Sequence, residues 1–386
     1  MRTRSYMKSS RRALVVAVAL LGVASCRTPG SGAGSTSQTL DTAASEAAAA
    51  RLETIPAGEV EATEEIKGII TGTIRRDYPE GVRPARRDAH AKHHGCVIAD
   101  FQVNDTLPDD LAIGVFKPGA QYKAWIRYSN GSGKDKADPE GDGRGMAIKL
   151  TGVPGEKLLA AEKDAQTQDF LMINHNAFFV RNAKDYVEFS QKSADGNPFS
   201  YFISLNPLAW HLHELTVARA IQKKKVGNLL KTQYWSMTPY LLGEQAVKFT
   251  AKPCFTGDDT PGTDRDYLRA AMKTKLDAGD ACFEFFVQTQ GSPTAMPIED
   301  PTIEWNETTS KPRKVATITI PKQTFDSKAQ QDFCEHLSYT PWHSLPEHRP
   351  LGGINRIRKS VYEAISELRH KMNGVTPAEP TGTETF

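Results

Sequence analysis

The sequence predicts an α+β fold on three observations. Short stretches rich in β-branched and aromatic residues alternate with turn signals through most of the chain. A clean apolar stripe at helical spacing closes it, with Ile354, Ile357, Val361, Ile365 and Leu368 at three- and four-residue steps. The composition, 39% apolar and 24% charged, is that of an ordinary globular protein.

Residues 1–25 read as a signal peptide. Arg2, Arg4, Lys8, Arg11 and Arg12 form a basic stretch without acids, followed by an apolar run, Ala13 to Ala24, too short to span a bilayer. The run ends in Val23-Ala24-Ser25-Cys26, which resembles a bacterial lipobox. That resemblance implies cleavage before Cys26, lipidation of Cys26, and anchoring at the cell envelope, on the outer membrane or periplasmic face. Ser10-Arg11-Arg12 also resembles a twin-arginine signal, so both the general secretory and the twin-arginine routes stay open. The formal charge of +2 owes its sign to this segment. Without it the balance is 43 basic to 46 acidic residues, about −3, and no basic face points to a nucleic-acid partner.

Residues 27–60, rich in Gly, Ser, Thr and Ala, read as a flexible tether, with Ala43 to Leu52 transiently helical. The folded domain is expected over residues 61–375. Cys96–Val103, Tyr122–Tyr128, Met146–Leu150, Ala246–Ala251, Phe283–Thr289 and Val315–Ile320 read as strands. Asn130-Gly131 and the Asp/Gly cluster at 138–145 mark turns between two of them. Asn182 can cap a helix through Tyr186, Val187 and Phe189. Asn206-Pro207 is a cap and first turn for a helix into Lys225. The last helix runs from about Ile354 to Met372, and residues 376–386 read as a disordered tail. After Cys26 four cysteines remain: Cys96, Cys254, Cys282 and Cys334. An oxidising compartment permits three pairings among them, but their spacing matches no compact scaffold, so buried free thiols are expected. No Cys-x-x-Cys pair supports a zinc site.

On the last helix Arg358-x-x-x-Tyr362 puts a guanidinium and a phenol one turn apart. A fixed cation favours the phenolate, a hard anionic ligand suited to ferric haem. Four other segments extend this. Arg87-Asp88-Ala89-His90-Ala91-Lys92 resembles the haem catalase segment that carries the distal histidine. Ala124-Trp125-Ile126-Arg127-Tyr128-Ser129 resembles the strand that follows it. Gly143-Arg144-Gly145-Met146-Ala147-Ile148-Lys149 is similar to the family's Arg-Gly-aromatic-Ala-Val-Lys strand. Asn174-His175-Asn176-Ala177-Phe178-Phe179-Val180-Arg181 resembles the segment with its distal asparagine. With Arg358-x-x-x-Tyr362 and Arg369 these matches follow the family's order across nearly all of the folded part. The chain resembles the smaller catalases and the catalase-like allene oxide synthases.

The resemblance implies an eight-stranded antiparallel barrel with inserted and C-terminal helices, and haem b as cofactor. Tyr362 would bind the haem iron, with Arg358 holding it ionised. His90 would be the distal base, Asn174 its partner and Ser129 the group that orients it. Arg87, Arg127 and Arg369 would bind the haem propionates, and Phe179 would pack near the porphyrin. The activity implied is that of a hydroperoxidase acting on hydrogen peroxide or on organic and lipid hydroperoxides. Rearrangement of a fatty-acid hydroperoxide and non-enzymatic haem binding are the competing readings. The chain departs from the family at His93, His94, Tyr128 and His175, around the expected peroxide pocket, and it is short for a nucleotide site of the large-catalase kind. His93-His94 and His211-x-His213 read as structural: residues two apart on a helix face different ways, and no acidic or cysteine ligands accompany them. The sequence sets no oligomeric state.

Overall fold

The computed structural model describes residues 40–255 and 260–386. The signal peptide, Cys26 and the first part of the tether lie outside the described residues. In chain order the elements begin with α1 (Thr42–Leu52), α2 (Glu59–Asp77), β1 (His93–Val103), β2 (Gln121–Asn130), β3 (Arg144–Thr151) and β4 (Thr167–Ile173). Next come α3 (Ala183–Ala194), α4 (Phe199–Phe202), α5 (Leu212–Lys223), β5 (Tyr234–Trp235), β6 (Tyr240–Leu242) and β7 (Gln245–Pro253). Then follow α6 (Tyr267–Ala278), β8 (Ala281–Thr289), β9 (Arg313–Ile320), α7 (Lys328–His336) and α8 (Gly353–Asn373).

Eight strands close an antiparallel barrel in the order β1-β2-β3-β4-β5-β7-β8-β9, with β9 returning to β1 and β6 hairpinned onto β7 outside the ring. Period-two alternation fills it. Phe101, Ile126, Ile148, Phe170, Phe249, Phe285 and Ile318 point inwards, and Phe116 from the β1–β2 connection joins their rings at 6.1–6.5 Å between centroids. The same alternation aims Arg127 and Ser129, flanking Tyr128, at the outside. There the wall is covered rather than solvated, which is why the second half of β2 is buried on both faces.

The cover is α8 with α2 and α3. Ile354, Ile357, Val361 and Ile365 of α8 pack against Ile66, Ile70 and Ile74 of α2. Each fully buried aliphatic side chain contributes roughly 1.5–3 kcal/mol. Gly374 in the left-handed conformation ends α8, and Asn182 Oδ1 caps α3 by accepting from Asp185 N. The expected helix from Asn206 is interrupted. A single 3-10 turn, Pro207–Ala209, is separated from α5 by Trp210 and His211, whose ring stacks on Tyr201 at 4.3 Å. His213 turns to Thr302 instead, so the two histidines part as expected.

Three expectations need correction. The expected tether is folded from Leu40 onward: Asp41 caps α1, and Ala48 and Ala49 lie in a cluster with Leu241, Met296 and Trp305, where small side chains let the helix approach closely. Glu53 and Glu59 then bind Arg356 of α8. The expected tail is also placed. Glu379 reaches Lys149, a fully buried cation that also holds Asp169, and Glu384 accepts from Trp125 Nε1 at 2.8 Å. The cysteines are paired, not free. Cys96 on β1 bonds Cys334 on α7, and Cys254 bonds Cys282, with Cα separations of 5.4 and 5.5 Å. The second pair follows from register, since Pro253 lies opposite Phe283. The first joins elements 238 residues apart and left no trace in local spacing.

Candidate functional site

Between the outer barrel wall and α8, α2 and α3 lies a cavity open to solvent. Seven of the sequence-predicted residues line it: Arg87, His90, Arg127, Ser129, Arg358, Tyr362 and Arg369.

His90 stands just before β1, in the left-handed conformation with φ 58°. Such a backbone is uncommon outside glycine and concentrates at functional sites. The loop after β2 enforces it: His90 N donates to Gly131 O and Ala91 N to Ser132 O. Gly133 presses against Asp88 O so closely that a Cβ there would lie 1.9 Å from it. The imidazole Nδ1 lies 2.9 Å from Ser129 Oγ, and Arg127 donates to His90 O. Gly145, paired with Ser129 across the β2–β3 ladder, gives the ring its room, since a Cβ there would lie 2.6 Å from Nδ1. Burial, with Arg127, Arg358 and Arg87 nearby, pushes His90 down to about 3, so the ring is neutral at ordinary pH and can accept a proton.

On α8, Arg358 Nε donates to Tyr362 Oη at 3.1 Å, with the guanidinium 5.0 Å from the ring centroid. The expected one-turn relation is therefore a hydrogen bond. The remaining arginines carry excess positive charge. Burial, then Arg87, holds Arg127 well below its usual range. The same two influences push Arg369 down to about 9. Arg87 and Arg369 share one carboxylate oxygen, Glu335 Oε1, at 3.1 and 3.0 Å. The Nε atoms of Arg127 and Arg369 have no hydrogen-bond partner.

Asn174 and Phe179 are not on the cavity wall. Asn174 is buried at the end of β4. Its Oδ1 accepts from Arg144 N at 2.8 Å, which leaves Nδ2 a donor without a partner. The Phe179 ring lies 4.9 Å from those of Phe178 and Phe189 and packs against a cluster that holds Ile173 and Met237 of the wall. Nor do the four departures from the family line the cavity. His94 binds Asn130 at 2.9 Å, His93 faces Glu335, His175 faces Glu304, and Tyr128 points into the barrel. The polar wall residues that sequence reasoning passed over are Asp88, Tyr186, Ser338, Tyr339 and Ser366. Burial pushes Asp88 up to about 6, and burial, then Asp88 and Tyr362, raises Tyr186. Asp88 sat inside the His90 motif, where a charged residue beside a base was the available signal. Glu335 had no local signal, because its partners come from distant elements.

No family model matches the chain. It is 26% identical over 323 residues to a catalase-related peroxidase of Mycolicibacterium paratuberculosis, covering 78% of this chain and 94% of that one. Among solved structures it superposes on a fungal catalase, with a TM-score of 0.60, 17% identity and coverage of 78% of this chain and 63% of the other. Catalase A of Saccharomyces cerevisiae gives 0.60, 18%, 78% and 65%, and a bacterial catalase gives 0.55, 15%, 76% and 60%. Its fold is that of the catalases. At these identities the likeness to the solved catalases is one of fold, and this catalase-like chain spans 60–65% of their length. The superposition covers the closed barrel and helices of the catalase fold, and against that barrel this chain sets His90 and Tyr362 in one cavity.

Proposed function

We propose that the chain is a haem-dependent hydroperoxidase acting on hydrogen peroxide or on organic and lipid hydroperoxides. One observation carries the reading. A neutral imidazole held by Ser129 and a phenol held by Arg358 line the same cavity, beside arginines whose charge is incompletely matched. The donor set fits haem b: Tyr362 suits the iron, and Arg87, Arg127 and Arg369, two of them with unpartnered Nε atoms, suit carboxylates. Haem would supply a ferric centre that binds one peroxide oxygen and exchanges electrons with it.

The chain's own residues do the rest. Arg358 Nε holds the Tyr362 hydroxyl in place. His90 Nε2 takes the proton from the near peroxide oxygen and returns it to the far one, so that water or an alcohol leaves. Ser129 fixes the ring at Nδ1, and Asn174, off the cavity wall, keeps an unpartnered Nδ2 donor. Haem-loaded protein should turn over peroxide, and His90→Ala should lose at least about 100-fold. Full turnover by His90→Ala, or an epoxide rather than an alcohol from a polyunsaturated hydroperoxide, would overturn this reading.

Export and lipid anchoring through Cys26 are proposed with it, on the strength of the charge, apolar run and lipobox-like residues of the N-terminus. Incorporation of labelled fatty acid by the parent, and none by Cys26→Ala, is the expected result. Equal labelling of both would remove the anchor from the account.

A further inference from the structure

A second cavity, of about 460 Å³, opens beside Glu335. It is lined by Pro84, Arg86, His93, Arg269, Gln331, Asp332, Glu335 and His336. Three buried polar atoms of its wall have no hydrogen-bond partner: Glu335 Oε2, Gln331 Oε1 and His93 Nδ1. The Glu335 side chain is only 7% exposed. Leaving a buried polar atom unpaired costs about 1–3 kcal/mol, so three around one space point to an occupant.

The vacant atoms are acceptors. Glu335 Oε1 is engaged by Arg87 and Arg369, which leaves Oε2 with His93 Nε2 at 3.5 Å. Gln331 Nε2 donates to Phe325 O at 2.8 Å, which fixes the amide with Oε1 free. Burial, and then Arg127, Arg269, Arg87 and Arg86, push His93 well down, so its ring is neutral. With Nε2–H toward Glu335, Nδ1 accepts. A complementary ligand must therefore donate hydrogen bonds. The lining sets Arg86 and Arg269 against Asp332 and Glu335, so its formal charges balance, which suits a neutral ligand. Hydroxyl compounds fit. Among them, aromatic diols also give up electrons, and Glu335, on this cavity's wall, binds Arg87 and Arg369 on the wall of the first.

We propose that this cavity binds the reducing co-substrate of the hydroperoxidase, a small neutral aromatic diol of the hydroquinone class. The inference rests on the peroxidase reading above and adds the donor's site. In the reaction the diol loses two electrons and two protons and becomes a quinone. The hydroperoxide gains them, its O–O bond breaks, and an alcohol and water are released.

The test is calorimetric titration of the full chain with hydroquinone, without and with haem, for the parent, Gln331→Leu and Asp332→Trp. Gln331→Leu removes one vacant acceptor. Asp332→Trp fills the space from an exposed position on α7 and so spares the core. The parent should bind hydroquinone in both states, Gln331→Leu about tenfold more weakly and Asp332→Trp at least as weakly. In steady state the KM for hydroquinone should rise by the same factor, with kcat little changed. No binding by the parent, or unaltered binding by both variants, overturns the proposal and leaves ordered solvent as the occupant. Because binding is read on haem-free chain, failure to take up haem would strike the peroxidase reading separately.

Discussion

Ser129 and His90 meet, Oγ to Nδ1 at 2.9 Å, across a gap kept open by the absent side chain of Gly145. A methyl group at Gly145 would sit 2.6 Å from Nδ1 and 2.7 Å from Ser129 Oγ, closer than real Cβ contacts allow. Gly145→Ala should therefore turn the ring and cost peroxide turnover about 100-fold, while circular dichroism and haem uptake stay near the parent's. Ser129→Ala removes the hydrogen bond without the clash and should lose about tenfold. Equal activity in all three proteins would show that the ring's orientation does not matter.

Asp88 shares the cavity with His90, and burial pushes its carboxyl up to about 6. Its charge therefore changes within the working range: ionised above that value, neutral below. Turnover of a neutral peroxide should bend near pH 6 in the parent and run flat from pH 5 to 7 in Asp88→Asn. A bend that survives in Asp88→Asn belongs to another group.

His348 is fully buried, and its Nε2 accepts from Val115 N at 3.0 Å. Burial pushes it down to about 3, from the ordinary 6.5 of an unfolded chain. Between those values the unfolded state binds the proton and the folded state does not, so stability falls as pH falls through that window. Asp88 and Asp169, pushed up to about 6 by burial, act in the opposite direction, so a variant must isolate the histidine. Between pH 7 and pH 5 the parent should lose about 2 kcal/mol relative to His348→Gln in urea unfolding. A difference constant across that range would contradict a neutral, proton-refusing His348.

The six predicted strands and the closing helix were legible because a barrel strand and a covering helix each show their period directly. β4 was harder to read: Thr167, Gln168 and Asp169 are buried polar residues, satisfied by His343, Ser344 and Lys149 from other elements. The folded tether and tail escaped for a related reason. Small or polar segments look unstructured until the partner that fixes them is known, as Arg356 fixes Glu53 and Lys149 fixes Glu379. In the site, motif order picked out seven wall residues. Phe179 packs among neighbouring rings behind the wall, and Glu335 was invisible because its arginine partners come from distant segments.

Glu379 joins Asp169 on Lys149, each at 2.7 Å, and Lys149 is fully buried. Glu379→Gln leaves the cation with one carboxylate and should destabilise the fold by about 1–3 kcal/mol in urea unfolding at pH 7. Removal of residues 376–386 should cost more, since Trp125 also loses Glu384 and Phe386. Unchanged midpoints for both would mean that the tail only rests on the barrel.

The central claim is a phenol on α8 and an imidazole before β1 facing one haem. Its most direct measurement is the absorption spectrum of purified protein after haem supply, for the parent and for Tyr362→Phe. The parent should show a Soret band of about one haem per chain, and Tyr362→Phe should lose or shift that band while the fold is kept. A parent without the band, or the same spectrum from both proteins, would contradict the account.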